Sequence, residues 1–318
     1  MIDILLNTYI LLRKEYGMQK DTILYGIILL IILWAIIEQK LLLTTKHTIR
    51  QAKLPKHLDN TRFVLLADLH NRSFGKNNRR LIDRIEELNP DFIIVAGDMV
   101  NKKDNSYPSH AYTLLEQLAK RHKLYYSYGN HEQKLERIGT DSSTQWTKEE
   151  KAYNSTWIEY KRRLENAGVT FLDNDSITLD LHSEALRITG VSLQHEYFEF
   201  NSSKKLPTDE LKELIGESQT EQYQLLIAHN PVHFSTYAKW GADLTLSGHL
   251  HGGMMRLPGI GGVISPQAKF FPKYDKGLYT EGDRHLIVSR GLGSHSIMPR
   301  LFNIPEIIYV TLKKDITK

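Results

Sequence analysis

The sequence predicts an α/β domain that follows an N-terminal membrane helix. Short apolar segments typical of strands alternate with amphipathic segments of helical spacing from about residue 62 to residue 311. Aspartate, histidine and asparagine residues come directly after several of these strands, and an uncharged apolar run precedes the whole pattern. We divide the chain into an anchor with its connector, residues 1–58, and a larger domain, residues 59–318.

The composition is that of an ordinary globular protein, with 41% hydrophobic and 25% charged residues among 318. The 41 basic residues exceed the 37 acidic residues by only four, which argues against nucleic acid as the main partner. A mildly basic surface still favours an anionic substrate or an anionic lipid. The sequence has no cysteine, so it excludes disulfides, thiolate metal sites and cysteine nucleophiles.

Residues 23–37 form an apolar run without a charged side chain. About 15 residues give roughly 22 Å of helix, somewhat less than the roughly 20 residues that a full membrane span prefers. Lys20 and Lys40 at the two ends, with Tyr25 and Trp34 near the interfaces, extend the span. A buried core helix and an uncleaved signal-like segment are the alternatives. We predict a single membrane helix, because the run has no polar face and no small-residue cleavage site follows it.

Basic residues are more numerous after this run than before it. Arg13, Lys14 and Lys20 precede it, and five basic residues follow it: Lys40, Lys46, Arg50, Lys53 and Lys56. The positive-inside tendency therefore predicts a protein of the cell membrane whose larger domain lies in the cytoplasm. The sequence does not predict an oligomeric state.

Strand and helix patterns alternate after the anchor. Residues 63–67 and 92–96 are continuous apolar runs typical of buried strands, and residues 77–88 between them have helical spacing. This strand–helix–strand unit favours parallel neighbouring strands. Further helices are predicted at residues 114–121 and 148–167, a polar connector at 50–60, and further strands at 123–127, 177–181, 186–190, 224–228, 244–246, 285–289 and 306–311.

Five strand ends carry residues of the types that bind metal ions. The motifs are Asp68-Leu-His70, Gly97-Asp98, Gly129-Asn130-His131-Glu132, His229, and Gly248-His249-Leu-His251. Open α/β sheets gather their ligands at the carboxyl ends of the strands, so we expect these side chains to converge. Carboxylates and imidazoles without thiolates suit manganese, iron or zinc. Each motif alone fits a helix cap, a turn or a structural histidine, but five at the same structural position indicate one site.

In this order the motifs D-x-H, G-D, G-N-H-E, H and G-H-x-H resemble the calcineurin-like metallophosphoesterase superfamily, from about Arg62 to Ile308. The resemblance implies a four-layer αββα sandwich, with the motif loops at one edge of two packed sheets. It implies that residues 59–318 are the catalytic domain and that this domain binds two divalent metal ions, Mn²⁺ before Fe or Zn. It assigns Asp68, His70 and His251 to one ion, Asn130, His229 and His249 to the other, and Asp98 to both.

The reaction implied is hydrolysis of a phosphodiester or a pyrophosphate. Two cations about 3.5–4 Å apart can clamp a phosphoryl group and activate a water molecule between them. Asp98 and His131 are then the catalytic residues, His131 as a cation that contacts the phosphate and assists the leaving oxygen rather than as a metal ligand. Glu132 is a candidate for holding the His131 ring in place.

The C-terminal region adds a narrower similarity. Gly252-Gly253, Phe271–Gly277 and Gly291-Leu-Gly293 resemble a bacterial membrane-anchored branch of the superfamily, which includes UDP-2,3-diacylglucosamine pyrophosphatases and other phosphodiesterases. Arg256 and Arg300 are candidates for substrate binding through a second phosphate or a carboxylate, with a solvated basic face as the alternative.

We expect a membrane-proximal or lipid-linked substrate, such as a UDP-diacylglucosamine-like molecule. One alternative is a hydrolase of soluble phosphodiesters or phosphoproteins, for which the anchor serves only localisation. Another, of a different class, is a catalytically silent scaffold that binds metal ions.

Overall fold

Two six-stranded sheets pack face to face at the centre of the computed structural model, and helices cover both outer faces. The predicted four-layer αββα sandwich is therefore confirmed. The structure describes residues 7–8, 10–11, 20–103, 109–141, 143–181, 184–200, 202–219, 221–253, 255–294 and 300–316. Arg13 and Lys14, which enter the predicted membrane orientation, lie outside the described residues.

The elements begin with helix α1 (Lys20–Lys40), which precedes the first sheet strand. The other helices are α2 (Arg79–Leu88), α3 (His110–Ala119), α4 (Asn130–Thr140), α5 (Lys148–Asn166), α6 (Thr208–Ile215) and α7 (Phe234–Trp240). The strands are β1 (Leu43–Gln51), β2 (Arg62–Leu66), β3 (Phe92–Ala96), β4 (Leu124–Ser127), β5 (Val169–Phe171), β6 (Asp175–Leu181), β7 (Glu184–Val191), β8 (Tyr223–Ala228), β9 (Leu244–Ser247), β10 (Arg256–Leu257), β11 (Gly261–Gly262), β12 (Gly277–Glu281), β13 (Arg284–Val288) and β14 (Glu306–Lys314).

Both large sheets are mixed but have parallel centres. The first sheet has the order β1-β14-β2-β3-β4-β5, in which β2 to β5 are parallel and β14 runs antiparallel to β2. The second has the order β12-β13-β9-β8-β7-β6, with antiparallel strands β12 and β6 at its edges. The predicted parallel pairing of β2 with β3 is confirmed, with Val64 opposite Ile93. Parallel strands bring their carboxyl ends, and the loops that follow, to one edge of the sheet.

The apolar runs of β2 and β3 are explained by burial on both faces. In β2, Phe63 and Leu65 point into the layer between the sheets, whereas Val64 and Leu66 point towards the helices that cover the first sheet. Successive side chains of a strand alternate between faces, so a strand covered on both sides requires an unbroken apolar sequence. Helices α2, α3 and α5 cover the first sheet, and α6 and α7 cover the second.

Strand β1 is an element that the sequence does not predict. It follows α1 after two residues and pairs in parallel with β14 along its whole length, from Leu43 opposite Glu306 to Gln51 opposite Lys314. Most of its residues are polar and partly exposed at the sheet edge, so no apolar period marks the strand in the sequence. The predicted connector therefore begins inside a strand. The division of the chain at residue 58 stays a prediction, and β1 lies on the anchor side of it.

Helix α1 has a largely uncovered apolar surface. Residues 22–40 have a mean hydropathy of 2.1 and are long and apolar enough to cross a membrane, and only 17% of this span is buried. Leu29, Ile32 and Ile36 are each about half exposed, at 56%, 50% and 48%. A core helix would bury such side chains, which leaves a membrane anchor or a signal segment as the roles that fit.

The carboxyl end of α1 is hydrogen-bonded to two loops of the sheet sandwich. The Arg72 guanidinium donates to the carbonyl of Gln39, and the backbone N–H of Phe302 donates to Glu38 Oε2 at 2.7 Å. The last carbonyls of a helix have no partner within the helix, so a cation such as Arg72 stabilises this end. The helix is therefore held against the loop that follows β2 and the loop that precedes β14.

Candidate metal centre

The residues of the five predicted motifs meet at one edge of the sandwich. Loops after β2, β3 and β4 come from the first sheet, and loops after β8 and β9 come from the second. Three overlapping groups have ligand atoms within 4.8 Å of one another: Asp68–His70–His251, His70–Asp98–His131 and Asp98–His229–His249. The predicted convergence of these loops is confirmed.

Asp98 lies at the centre of the cluster. Its Oδ2 is 3.3 Å from His229 Nε2, 3.9 Å from His70 Nε2 and 4.0 Å from His131 Nε2. Its Oδ1 accepts a hydrogen bond of 2.9 Å from the backbone N–H of His131. One oxygen of this buried carboxylate is thus fixed by the chain, and the other faces imidazoles from three different loops.

Asp68 joins the two sheets. Its Oδ1 is 3.7 Å from His251 Nε2 and 3.8 Å from His229 Nε2, and both of its oxygens accept from the backbone N–H of His249 at 3.1 Å. The Nε2 atoms of His70 and His251 are 3.2 Å apart. A single cation near these atoms would contact side chains from both halves of the sandwich.

Two glycines leave room for the two carboxylates where the backbone passes close to them. A Cβ at Gly248 would lie 2.5 Å from Asp68 Oδ2, and a Cβ at Gly129 would clash with Asp98 Oδ1. Any larger residue at either position would displace the carboxylate. Glycine is therefore required on steric grounds at the first position of the G-N-H-E and G-H-x-H motifs.

Backbone strain is concentrated in the same loops. Non-glycine residues in the left-handed region cost about 1–3 kcal/mol each and persist only where surrounding bonds hold them. Asparagine, aspartate and histidine tolerate this region better than most residues. Six residues of the cluster loops have φ between 48° and 68°: Asp68, His70, Asn71, Asp98, His249 and His251.

Backbone contacts define which ring nitrogen carries a proton in His229 and which one does in His131. His229 Nδ1 lies 2.6 Å from the carbonyl oxygen of Ala96, so Nδ1 carries a proton and donates it, which makes Nε2 the atom that can bind a cation. His131 Nδ1 accepts from the backbone N–H of Lys102 at 3.1 Å, so the proton of its neutral ring is on Nε2. His229 is therefore suited to be a ligand and His131 to be a donor.

Burial and mutual proximity shift the pKa values of the cluster. Burial raises the pKa of Asp68 to about 7, against the attraction of His229. Burial lowers the pKa of His229, but the Asp98 and Asp68 carboxylates outweigh it and raise this pKa to about 9. Burial also works against ionisation of Asp98, yet His131 and His229 hold its pKa well below the usual range. Cations bound here would have to displace protons.

The residues present fit a pair of divalent metal ions. The donors are two carboxylates, four imidazoles and one amide oxygen, a set that suits Mn²⁺, Fe or Zn²⁺. Asn130 Oδ1 is buried and accepts no hydrogen bond from the described part of the chain. A buried oxygen without a donor is costly, and a bound cation would satisfy it.

Glu132 holds the second and third motif loops together. From the sequence, Glu132 is a candidate for holding the His131 ring, whereas in the structure its carboxylate accepts from the backbone. Burial and the nearby Asp98 raise the pKa of Glu132, and hydrogen-bond donors oppose that rise. Oε1 accepts from the Tyr126 hydroxyl and from the N–H groups of Met99 and Val100, and Oε2 accepts from the N–H groups of Asp98 and Gly129.

Arg300, a predicted substrate-binding residue, is only 2% exposed. Its Nε, Nη1 and Nη2 donate to the carbonyls of Asn303, Gly293 and Arg290 at 2.7, 2.6 and 2.7 Å. A guanidinium directed at the main chain on all three nitrogens stabilises the loop before β14. These contacts give Arg300 a structural task, and its contact with substrate stays a prediction.

Arg256, the other arginine predicted to bind substrate, is partly buried. Its Nη1 donates to the carbonyl of Gly252 at 2.6 Å and to Asp275 Oδ2 at 2.8 Å. It lines a shallow cavity of about 580 Å³ together with Lys276 and Phe302. Its contact with substrate stays a prediction.

Residues 61–253 match the calcineurin-like phosphoesterase family, and the chain belongs to this family. It is a metal-dependent hydrolase of phosphoric esters, as the motif order predicts. The chain is similar to the uncharacterized metallophosphoesterase YkuE of Bacillus subtilis, with 27% identity over 281 residues, 87% of each chain. It is 27% identical over 237 residues to the phosphodiesterase YaeI of Escherichia coli, covering 73% of this chain and 75% of that one.

A third relative is a transmembrane protein with a metallophosphoesterase domain from Danio rerio. It is 26% identical over 285 residues, which cover 82% of this chain and 55% of the relative. The chain thus spans little more than half of that protein.

Proposed function

We propose that this protein hydrolyses a phosphodiester or a pyrophosphate at a membrane surface, with two divalent metal ions, Mn²⁺ in the first place. The position of Asp98 carries the proposal. One of its oxygens lies 3.9 Å from His70 Nε2 and 3.3 Å from His229 Nε2, which belong to the two proposed ligand groups, as a carboxylate shared by two cations requires. The donor set without thiolates supports manganese.

Two groups of side chains would hold the ions on either side of Asp98. When bound, the ions supply an activated water molecule at neutral pH and neutralise charge on the phosphoryl group. Asp68, His70 and His251 form the first group, and Asn130, His229 and His249 form the second.

His131 donates a hydrogen bond from Nε2 to the leaving oxygen. The N–H of Lys102 donates to its Nδ1 at 3.1 Å, which leaves Nε2 as the nitrogen that carries a proton. Its Nε2–H lies at the cluster, 4.0 Å from Asp98 Oδ2, where it can donate to an oxygen of the phosphoryl group. This role agrees with the contact to the phosphate and the leaving oxygen that the family resemblance implies.

The position of α1 supports a substrate at the membrane. Asn303 Nδ2 donates to the carbonyl of His251 at 2.5 Å, and the adjacent Phe302 donates to Glu38 of α1. The apolar helix therefore ends beside a loop of the metal centre. A lipid-linked ester, such as a UDP-diacylglucosamine-like molecule, could reach the cluster without leaving the bilayer surface entirely.

We also propose that α1 anchors the chain in the cell membrane, with residues 59–318 as the catalytic domain on the cytoplasmic side. The name of the Danio rerio relative, a transmembrane protein, supports an anchor. Because β1 belongs to the first sheet, the catalytic unit begins at Leu43 in structural terms.

The test uses full-length protein in detergent with Mn²⁺. It should hydrolyse bis(p-nitrophenyl) phosphate, and Asp98→Ala or His131→Ala should lower kcat/KM by at least about 100-fold. Asp83→Ala is a matched control, since Asp83 is partly exposed and pairs with Arg79, one turn earlier on α2, at 2.7 Å. An inert wild type would refute the proposal.

Substrate choice is tested separately. We expect faster turnover of UDP-diacylglucosamine than of soluble nucleotides. Equal or better turnover of the soluble compounds would favour the second candidate, a hydrolase of soluble phosphodiesters, which the name of the relative YaeI also allows.

A further inference from the structure

A cavity of about 710 Å³ opens beside the metal centre at Asn130. One wall is a stripe along α4, whose residues recur every three or four positions and so share one face of the helix. Ten residues of helix extend about 15 Å, so the cavity has room for a substituent next to the phosphate. The stripe consists of Asn130, Gln133, Lys134, Arg137 and Thr140, and the loops after β5 and β7 supply the opposite wall.

The charges of the lining do not favour a second anion. Burial lowers the pKa of His195, and the positive charge of Arg137 adds to this effect, so this imidazole is neutral at pH 7. Four acidic residues outnumber two basic ones: Glu136, Asp173, Glu196 and Glu199 against Lys134 and Arg137. Such a lining suits an uncharged polar ligand.

Besides Asn130, a proposed metal ligand, two lining residues carry a buried polar atom with no hydrogen-bond partner among the described residues: Gln133 at Nε2 and Ser192 at Oγ. Unpaired buried polar atoms reduce stability, so a ligand in the cavity that reached them and paired with them would be favoured. Tyr128, the one lining residue in the described chain with a phenol ring, is 1% exposed and offers no face on which a base could stack.

We propose that this cavity binds the substituent next to the scissile phosphate, and that this substituent is an uncharged, hydroxyl-rich group of the sugar type. The inference rests on the proposed function, because the metal centre beside Asn130 would hold the phosphate. Hydroxyl groups pair with the Gln133 amide, the Ser192 hydroxyl and the carboxylates of the wall, whereas an acyl chain would leave all of them unpaired. A lipid part of the substrate would extend elsewhere.

The experiment compares the binding of two phosphate monoesters to full-length protein loaded with Mn²⁺. Titration calorimetry should show glucose 1-phosphate binding at least about tenfold more tightly than phenyl phosphate, since each new hydrogen bond contributes roughly three- to tenfold. Gln133→Leu and Ser192→Ala should each reduce this ratio about threefold or more. Gln117→Leu makes the same change at a half-buried glutamine outside the cavity lining and should preserve the ratio.

Thermal stability separates ligand binding from a structural role. Gln133→Leu and Ser192→Ala should keep or raise Tm, because each removes an unpaired buried atom. Equal affinity for the two esters, or an unchanged ratio in both cavity variants, would overturn the inference.

Turnover of bis(p-nitrophenyl) phosphate by the same samples separates failure of the cavity assignment from failure of the proposed reaction. Turnover without a preference for glucose 1-phosphate overturns the assignment of the cavity alone. A preference without turnover overturns the proposed reaction and supports the assignment of the cavity.

Discussion

Replacing Glu132 with glutamine tests whether one buried carboxylate holds the metal centre together. The change keeps the size of the side chain but substitutes an NH₂ group for one oxygen. All five neighbours of the carboxylate are donors, two at Oε2 and three at Oε1. The amide must therefore point its own hydrogens at donors, whichever way it turns.

The smaller loss arises with the NH₂ group at the Oε2 position, where it faces the N–H groups of Asp98 and Gly129 at 2.8 and 2.9 Å. Hydrogen bonds to a charged group contribute about 1.5–3 kcal/mol each, so two losses cost about 3–6 kcal/mol of unfolding free energy. For a protein of this size we expect Tm to fall by about 5–9 °C. Because Asp98 is released, affinity for Mn²⁺ should fall about 10- to 100-fold.

Differential scanning calorimetry and Mn²⁺ titration of Glu132→Gln against wild type measure both effects. Glu136→Gln is the control for stability: it lies one turn further along α4 and is paired with Lys161 at 3.0 Å, both side chains being partly exposed. That pair contributes about 1 kcal/mol or less. A Glu132→Gln variant within about 1 kcal/mol of wild type, with unchanged Mn²⁺ affinity, would refute the reasoning.

Three further predictions concern the metal ions, the donor and the anchor. Affinity for Mn²⁺ should rise between about pH 6 and pH 9, because Asp68 with a pKa of about 7 and His229 with a pKa of about 9 must lose protons. Calorimetry in buffers of different ionisation enthalpy should detect proton release at pH 7. A pH-independent affinity would contradict this prediction. His131→Ala should cost more with phenyl than with p-nitrophenyl leaving groups, since the poorer leaving group needs the proton more; equal losses in a rate series would exclude His131 as the donor. Deletion of residues 1–41 should move the protein from the membrane fraction to the soluble fraction, and a full-length chain already found in the soluble fraction would argue against the anchor.

The sequence predicts those elements whose residue pattern follows from their own burial or from their own cap. The strands around Phe63 and Phe92 are apolar on both faces because both faces are covered, and each was predicted within about one residue. Helix α5, predicted over residues 148–167, spans Lys148–Asn166 because it has a Thr147 cap and a capping box with Glu150. The motif loops could be located because polar residues directly follow apolar strands.

Elements that depend on distant partners were missed. Strand β1 is polar at most positions and is defined by its pairing with β14, more than 250 residues away in the chain. Helix α4 is not predicted from the sequence, because its first residues are motif residues rather than members of an apolar stripe.

Side-chain partners were also beyond the sequence. The pattern G-N-H-E shows that Glu132 belongs to the site, but only the structure shows that its carboxylate binds the backbone of another loop. An arginine near a phosphate site fits both substrate contact and internal bracing. The burial of Arg300 and its bonds to the main chain fit internal bracing, and the sequence alone gives neither.

The two-residue junction between α1 and β1 has a mechanical consequence. Lys40 ends the helix and Leu43 begins the sheet, and the Arg72 and Phe302 contacts brace the joint from the side. A long flexible linker would let an enzyme domain diffuse through the solution near its anchor, whereas the two-residue connection here does not allow this. With α1 in a bilayer, the catalytic cleft would stay at one height and one tilt, and it would meet only those molecules that lateral diffusion delivers to it.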